Sequence, residues 1–254
     1  MRGLSADALL SVWERGLRAT PSERAFTLLR AACPETAADV LADWTIGRRD
    51  AILLTLREQT FGPEMQARTA CPACAAPLEL QLQVADLRVP PLPNPPLPGE
   101  GRVGSPRDLS LRRGEQEVHF RLPTLRDLQD AVALKDAVQA RRHLLQACVL
   151  KMTRDGLEVP VDLLPEEIAQ EVEQQQAQAD PQADIRLDLS CPSCGHSWQE
   201  SFDIAAFFWT EIDARAQRLL QEVHRLASAY GWSEADILAL SSARRQLYLE
   251  MIAL

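Results

Sequence analysis

The sequence predicts an α+β fold, mostly helical, in which two short cysteine ribbons join in one four-cysteine site. Three observations predict it. Cys71-Pro72-Ala73-Cys74 and Cys191-Pro192-Ser193-Cys194 repeat one motif, with residues 75–190 between them, and residues alternating apolar with polar border each copy. Apolar residues recur at helical spacing through residues 1–65 and 205–254. Residues 90–98, Pro-Pro-Leu-Pro-Asn-Pro-Pro-Leu-Pro, lack the amide donors that helix and sheet need, so they read as a stiff, extended surface connector. The chain therefore divides into a helical N-terminal region (1–65), a first ribbon (66–89), a proline-rich connector (90–107), a mixed hairpin and helical region (108–180), a second ribbon (181–204) and a C-terminal helical hairpin (205–254).

The N-terminal region reads as short helices. Leu10, Trp13 and Leu17 share a face, and Thr20-Pro21-Ser22-Glu23 supplies a cap, a proline at the first helical position and a glutamate three after the cap. A second helix runs through Phe26, Leu28 and Leu29 until Cys33-Pro34 breaks it. Ile46 to Glu58 is a longer amphipathic stretch carrying Ile52, Leu53 and Leu56, and Phe61-Gly62-Pro63 ends it. Behind the first cysteine turn, Leu78, Leu80, Leu82 and Val84 alternate with polar residues, which predicts a half-buried strand.

Leu109 to Leu111 and Val118, Phe120, Leu122 predict a hairpin around Arg113-Gly114-Glu115, and Thr124 to Asp127 caps a helix after it. Helices are expected to continue through Leu144, Leu145, Val149 and Leu150 to a turn at Asp155-Gly156. Pro165-Glu166-Glu167 opens a Gln-rich helix that reads as polar nearly all round and solvent-exposed. Ile185, Leu187 and Leu189 lead into the second cysteine turn, and Trp198, Phe202 and Ile204 answer them after it. A long helix through Phe208, Ile212, Leu219, Val223, Leu226 and Tyr230 stops at Gly231 and restarts at Ser233-Glu234. The final helix is expected to put Leu240, Leu247 and Met251 on one side.

Composition excludes several classes. With 254 residues and 46% hydrophobic content the chain can bury a core. It has no 18-residue apolar run, and a charge interrupts the N-terminus early, so neither a signal peptide nor a membrane span is expected; the reading is cytoplasmic, with retention in an assembled particle open. A formal charge of −9 opposes nucleic acid and anionic membranes. The basic pairs Arg48-Arg49, Arg141-Arg142 and Arg244-Arg245 read as solvated faces or partners of the many acids.

Cysteine chemistry carries the one specific signal. Two matched Cys-x-x-Cys turns supply the four thiolates Cys71, Cys74, Cys191 and Cys194, the donor set of a closed structural zinc site holding one ion. A single iron in the same cage and thiol redox chemistry are the competing readings. Redox use would want a motif opening a helix, and haem attachment would want histidine where Gly195 stands. His196 reads as a turn residue, since four sulfurs already fill a tetrahedron, while Cys33 and Cys148 read as core thiols. No phosphate loop, dinucleotide fingerprint, zinc-protease motif or nucleophile elbow accompanies them, and no catalytic residue is assigned.

Trp13-Glu14-Arg15-Gly16, Ile46-Gly47-Arg48-Arg49-Asp50 with Leu53-Leu54, Leu56-Arg57-Glu58 and Phe61-Gly62-Pro63, the paired Cys-Pro-x-Cys ribbons, and Tyr230-Gly231-Trp232-Ser233-Glu234 with Ile237-Leu238, Leu240, Arg244-Arg245 and Tyr248-Leu249 resemble the T-even-type phage baseplate hub assembly chaperone family. Relatives of that family accompany phage-tail-like contractile injection systems. The resemblance implies a non-enzymatic role in building a baseplate hub by binding a hub or spike protein. Trp232 and Tyr248 are the candidate anchors for such a partner, against the plainer reading that they pack in the chain's own core. The alternative function is a zinc-ribbon adaptor for nucleic acid or a transcription complex.

Overall fold

A computed structural model describes residues 1–89 and 109–252; the proline stretch at 90–98 lies outside the described residues. In chain order the helices are α1 (Ala6–Gly16), α2 (Pro21–Ala32), α3 (Ala38–Ala42), α4 (Ile46–Phe61), α5 (Val84–Leu87), α6 (Leu125–Val132), α7 (Ala137–Cys148), α8 (Glu166–Ala179), α9 (Ile204–Tyr230), α10 (Glu234–Ala239) and α11 (Ser242–Ile252). The strands are β1 (Glu64–Ala70), β2 (Pro77–Gln83), β3 (Leu109–Arg113), β4 (Gln116–Phe120), β5 (Val149–Arg154), β6 (Leu157–Glu158), β7 (Arg186–Ser190) and β8 (Ser197–Ser201). The α+β class with clustered cysteines is the fold observed. The chain forms two units, Met1–Pro34 with Leu53–Glu64 and Asp203–Leu254, and Glu35–Ile52 with Met65–Phe202.

The first unit is helical. Ser5 caps α1, and Thr20 with Glu23 forms the expected capping box on α2. Leu9, Leu10 and Val12 of α1, Leu28 and Leu29 of α2, and Phe208, Ile212, Ala216 and Leu219 of α9 are buried. A Cβ on Gly16 would lie 2.1 Å from the Trp209 ring, so glycine is what lets the indole come this close. Trp13 Nε1 donates to Asp213 Oδ1 at 2.7 Å, and the buried Arg57 donates to Glu211 Oε2 at 2.8 Å and the Gly62 carbonyl at 2.7 Å. Gly231, at φ +68°, ends α9, and Ser233 caps α10 as the sequence predicts.

The last segment departs from expectation. It is two helices, with Leu240 extended between them. Arg245 and Leu249 face inward, while Leu247 and Met251 are 56% and 60% exposed. The reason is a partly buried ion pair: Arg245 Nε donates to Glu222 Oε2 at 2.9 Å, which turns the arginine of α11 toward α9.

The second unit contains an antiparallel sheet in the order β3-β4-β5-β6. The predicted hairpin forms, pairing Leu109 with Phe120 and Leu111 with Val118. The expected continuation of helix through Val149 and Leu150 does not occur. Helix α7 ends at Cys148 and the chain enters β5 at once, because Val118, His119 and Phe120 offer an open edge to Met152, Lys151 and Val149. Nor is α8 polar all round. Ile168, Ala169 and Val172 pack with Val118, Phe120, Leu145 and Met152, while Arg141 ties Glu166 and Glu173 on the outer side.

The same unit holds two two-stranded ribbons, β1-β2 and β7-β8. Leu187 opposes Glu200 and Leu189 opposes Trp198, so one face of the second ribbon is the more apolar. Val84, expected to close the first ribbon, begins α5, and Ile204 begins α9 behind the Asp203 cap. Asp180 accepts the Gly47 amide at 2.9 Å at the start of α4, where a Cβ on residue 47 would collide with its carboxylate at 1.9 Å.

Candidate metal centre

Each cysteine turn is built by the strands on either side of it. Strand β1 ends at Ala70 and β2 starts at Pro77; between them the Cys71 amide donates to the Ala76 carbonyl at 2.9 Å and the Ala75 amide to the Cys71 carbonyl at 2.8 Å. The second turn repeats both bonds, Cys191 amide to His196 carbonyl at 2.8 Å and Gly195 amide to Cys191 carbonyl at 2.8 Å. Both turns close on a left-handed residue directly after their second cysteine, Ala75 at φ +59° and Gly195 at φ +73°. The second turn uses the residue suited to that backbone, and the first carries a side chain there at a cost.

The turns bring all four predicted sulfurs within 4.8 Å of one another. Cys71 Sγ lies 3.7 Å from Cys194 Sγ, and Cys74 Sγ lies 3.7 Å from Cys191 Sγ. A disulfide would need about 2.05 Å. Four thiolates at the zinc–sulfur bond length in a tetrahedron are separated by about 3.8 Å, so these two cross-turn spacings are compatible with a cation between the turns. Among the described residues, this is where metal-ligating side chains converge closely enough to hold an ion.

Cys71 and Cys191 are each 2% exposed and pack with Leu78, Ala76 and Trp198, while Cys74 and Cys194 face solvent. The Cys194 and Ser193 amides aimed at Cys191 pull its thiol down to about 6 against burial. At Cys74 the Ala76 amide pulls the same way, but the Cys194, Cys191 and Cys71 sulfurs together with burial push the thiol up to about 12. Four crowded sulfurs cannot all ionise against their mutual repulsion. A divalent cation removes that conflict, and four protein sulfurs around it leave no open position for a substrate.

The remaining candidates lie elsewhere or play lesser parts. The His196 ring stacks on Trp198 with centroids 5.9 Å apart, and its carbonyl, not its imidazole, serves the turn. Cys148 is buried in the sheet core, where desolvation pushes its thiol up to about 11, and Cys33 is half-buried at the end of α2. Trp232 and Tyr248 are half-buried in the first unit, edge to face at 4.8 Å, against Leu226, Ile237 and Leu249. Sequence reading did not find the special backbone at Ala75; the signal was the alignment of Ala75 with Gly195, one position after each motif.

The family described as T4 bacteriophage base plate protein matches residues 23–209, a span that takes in both cysteine turns and every strand. The chain belongs to this family. No curated protein and no solved structure matches it. The matched span leaves out Trp13 to Gly16 and Tyr230 to Leu249, which carried part of the hub-chaperone resemblance. For a baseplate protein, family membership points to a structural role among other baseplate proteins rather than to catalysis. No described helix is long and apolar enough to cross a membrane.

Proposed function

We propose that this baseplate protein is a non-enzymatic assembly factor or structural component of the baseplate hub, in a contractile phage tail or phage-tail-like injection system. It binds a hub or spike protein and holds one structural zinc on Cys71, Cys74, Cys191 and Cys194. The observation that carries the reading is the convergence of four sulfurs within 4.8 Å of one another inside the family-matched span. A site closed by four sulfurs serves architecture, in keeping with a protein whose work is to present surfaces to other subunits. Trp232 and Tyr248 join Tyr230 in an aromatic group, with Tyr230 39% exposed, and that group is the anchor proposed for the partner.

The test is affinity purification of the full chain from cells making the complete machine. Hub or spike proteins should co-purify, and the chain's presence in or absence from finished particles separates subunit from departing chaperone. Co-purification with sheath or tube proteins alone would move the assignment away from the hub.

A further inference from the structure

We propose that Gln182 is a positioning residue for the metal centre: its side-chain amide clips the two cysteine ribbons together at the end away from the sulfurs, so the four ligands stand near one another before an ion binds. The proposal rests on the reading above that these cysteines hold zinc. Gln182 is buried, and both ends of its amide are used. Oε1 accepts the Val89 amide at 2.9 Å, and Nε2 donates to the carbonyl of the buried Leu87 at 3.0 Å. One side chain thus meets a backbone donor and a backbone acceptor two residues apart, the pair that a neighbouring strand would otherwise meet.

The place of this clip gives it its role. Leu87 and Val89 come after β2 and α5, beyond the end of the first ribbon that is remote from Cys74. Gln182 comes before β7, beyond the end of the second ribbon that is remote from Cys191. The Phe202 amide donates to the Ile185 carbonyl at 2.8 Å, which carries the second ribbon's ladder to within three residues of Gln182. Gln182 also has a fixed base: it sits in the 3₁₀ turn Pro181–Ala183, and Asp180 just before it accepts the Gly47 amide. Cys74 and Cys191 are 117 residues apart along the chain. Through the clip, only the thirteen residues from Cys74 to Leu87 and the nine from Gln182 to Cys191 separate them. Closure entropy grows as three halves of the logarithm of loop length, and on that scaling the shorter path raises the constant for joining the two turns about tenfold. The two bonds involve neither thiol nor metal, so this preorganisation is present in the metal-free chain.

The experiment measures zinc affinity of the purified full chain by competition with a chromogenic chelator. It compares the wild type with Gln182→Met, which fills similar space and makes neither bond, and with Phe120→Ala, which weakens the sheet and leaves the clip alone. Gln182→Met should bind zinc about tenfold more weakly, and Phe120→Ala should bind it as the wild type does. Hydrogen exchange of the zinc-stripped wild type is the second measurement, and it needs no variant to fold. The Val89 amide should stay slow while amides of β1 and β2 speed up. Unchanged affinity in Gln182→Met, an equal loss in Phe120→Ala, or a Val89 amide that speeds up with β1 and β2 would each overturn the clip and leave the zinc reading standing. A wild-type chain that binds no zinc would overturn the zinc reading and the clip with it.

Discussion

The four-stranded sheet and the two cysteine ribbons belong to one unit, yet they meet the problem of a small β-structure in opposite ways. The sheet covers one face with α8 and buries Phe120, Val118, Met152 and Val172 completely or nearly so. The ribbons bury far less: Leu78 is covered, but Leu80, Leu82, Leu187 and Leu189 are only half so, and their polar faces lie open. A two-stranded hairpin is marginal in water, and half-buried leucines do not change that. What the ribbons have instead is four sulfurs at one point. The sheet is held by apolar area, whereas the ribbons bring together four cysteines from segments distant in sequence, where we propose a metal cross-link.

The sharpest way to break that contrast is to remove the cross-link. Structural zinc contributes roughly 10–16 kcal/mol of apparent binding energy in small zinc peptides, so Cys71→Ser, Cys194→Ser or chelation should open both ribbons. Hydrogen exchange should then rise across β1, β2, β7 and β8 and stay slow in β4 and β5. Equal protection before and after would show that the ribbons hold themselves. The converse is Phe120→Ala, which empties a fully buried site and should cost about 3–5 kcal/mol. Its melting temperature should fall while its metal content is unchanged; metal lost along with the sheet would show that the two regions are one cooperative structure.

Acid should also separate the two regions. The folded Cys191 thiol is held down to about 6, below its ordinary value near 9, by the Cys194 and Ser193 amides. A depressed thiol stabilises the fold fully above its unfolded pKa and loses that contribution as pH falls through about 6, where protons also compete with the metal. Metal release measured with a chromogenic chelator should rise as pH falls, because protons compete with the cation for the four thiolates, with β4 and β5 still protected. The smallest effect compares the turns with each other. Ala75→Gly should relieve a left-handed alanine and raise the ribbon's stability by about 1 kcal/mol, and Gly195→Ala should lower it by about as much. Equal and opposite shifts in chelator resistance would establish the two turns as equivalent.

What could be read from the sequence follows the same division. The cysteine site was legible because its chemistry is local: two turns, each with a proline, two sulfurs and bordering alternation, announce themselves without knowledge of what they meet. Caps at Thr20, Thr124 and Ser233 and the stop at Gly231 were legible for the same reason. Strand β5 was not, since Val149 follows Cys148 with no breaker and only pairing with β4 decides that it extends. The inner face of α8 was hidden because Ile168, Ala169 and Val172 are few among glutamines and glutamates. In α11 a buried arginine took the place that pattern reading gave to leucine and methionine, and nothing in the local sequence reveals that Glu222 waits for it.

The central claim, that four cysteines from two distant turns hold one structural zinc, is tested most directly by mass spectrometry of the native protein, with thiol alkylation before and after chelation. The account predicts one zinc per chain and protection of Cys71, Cys74, Cys191 and Cys194 that chelation removes. A metal-free native chain whose four thiols react at once would contradict it.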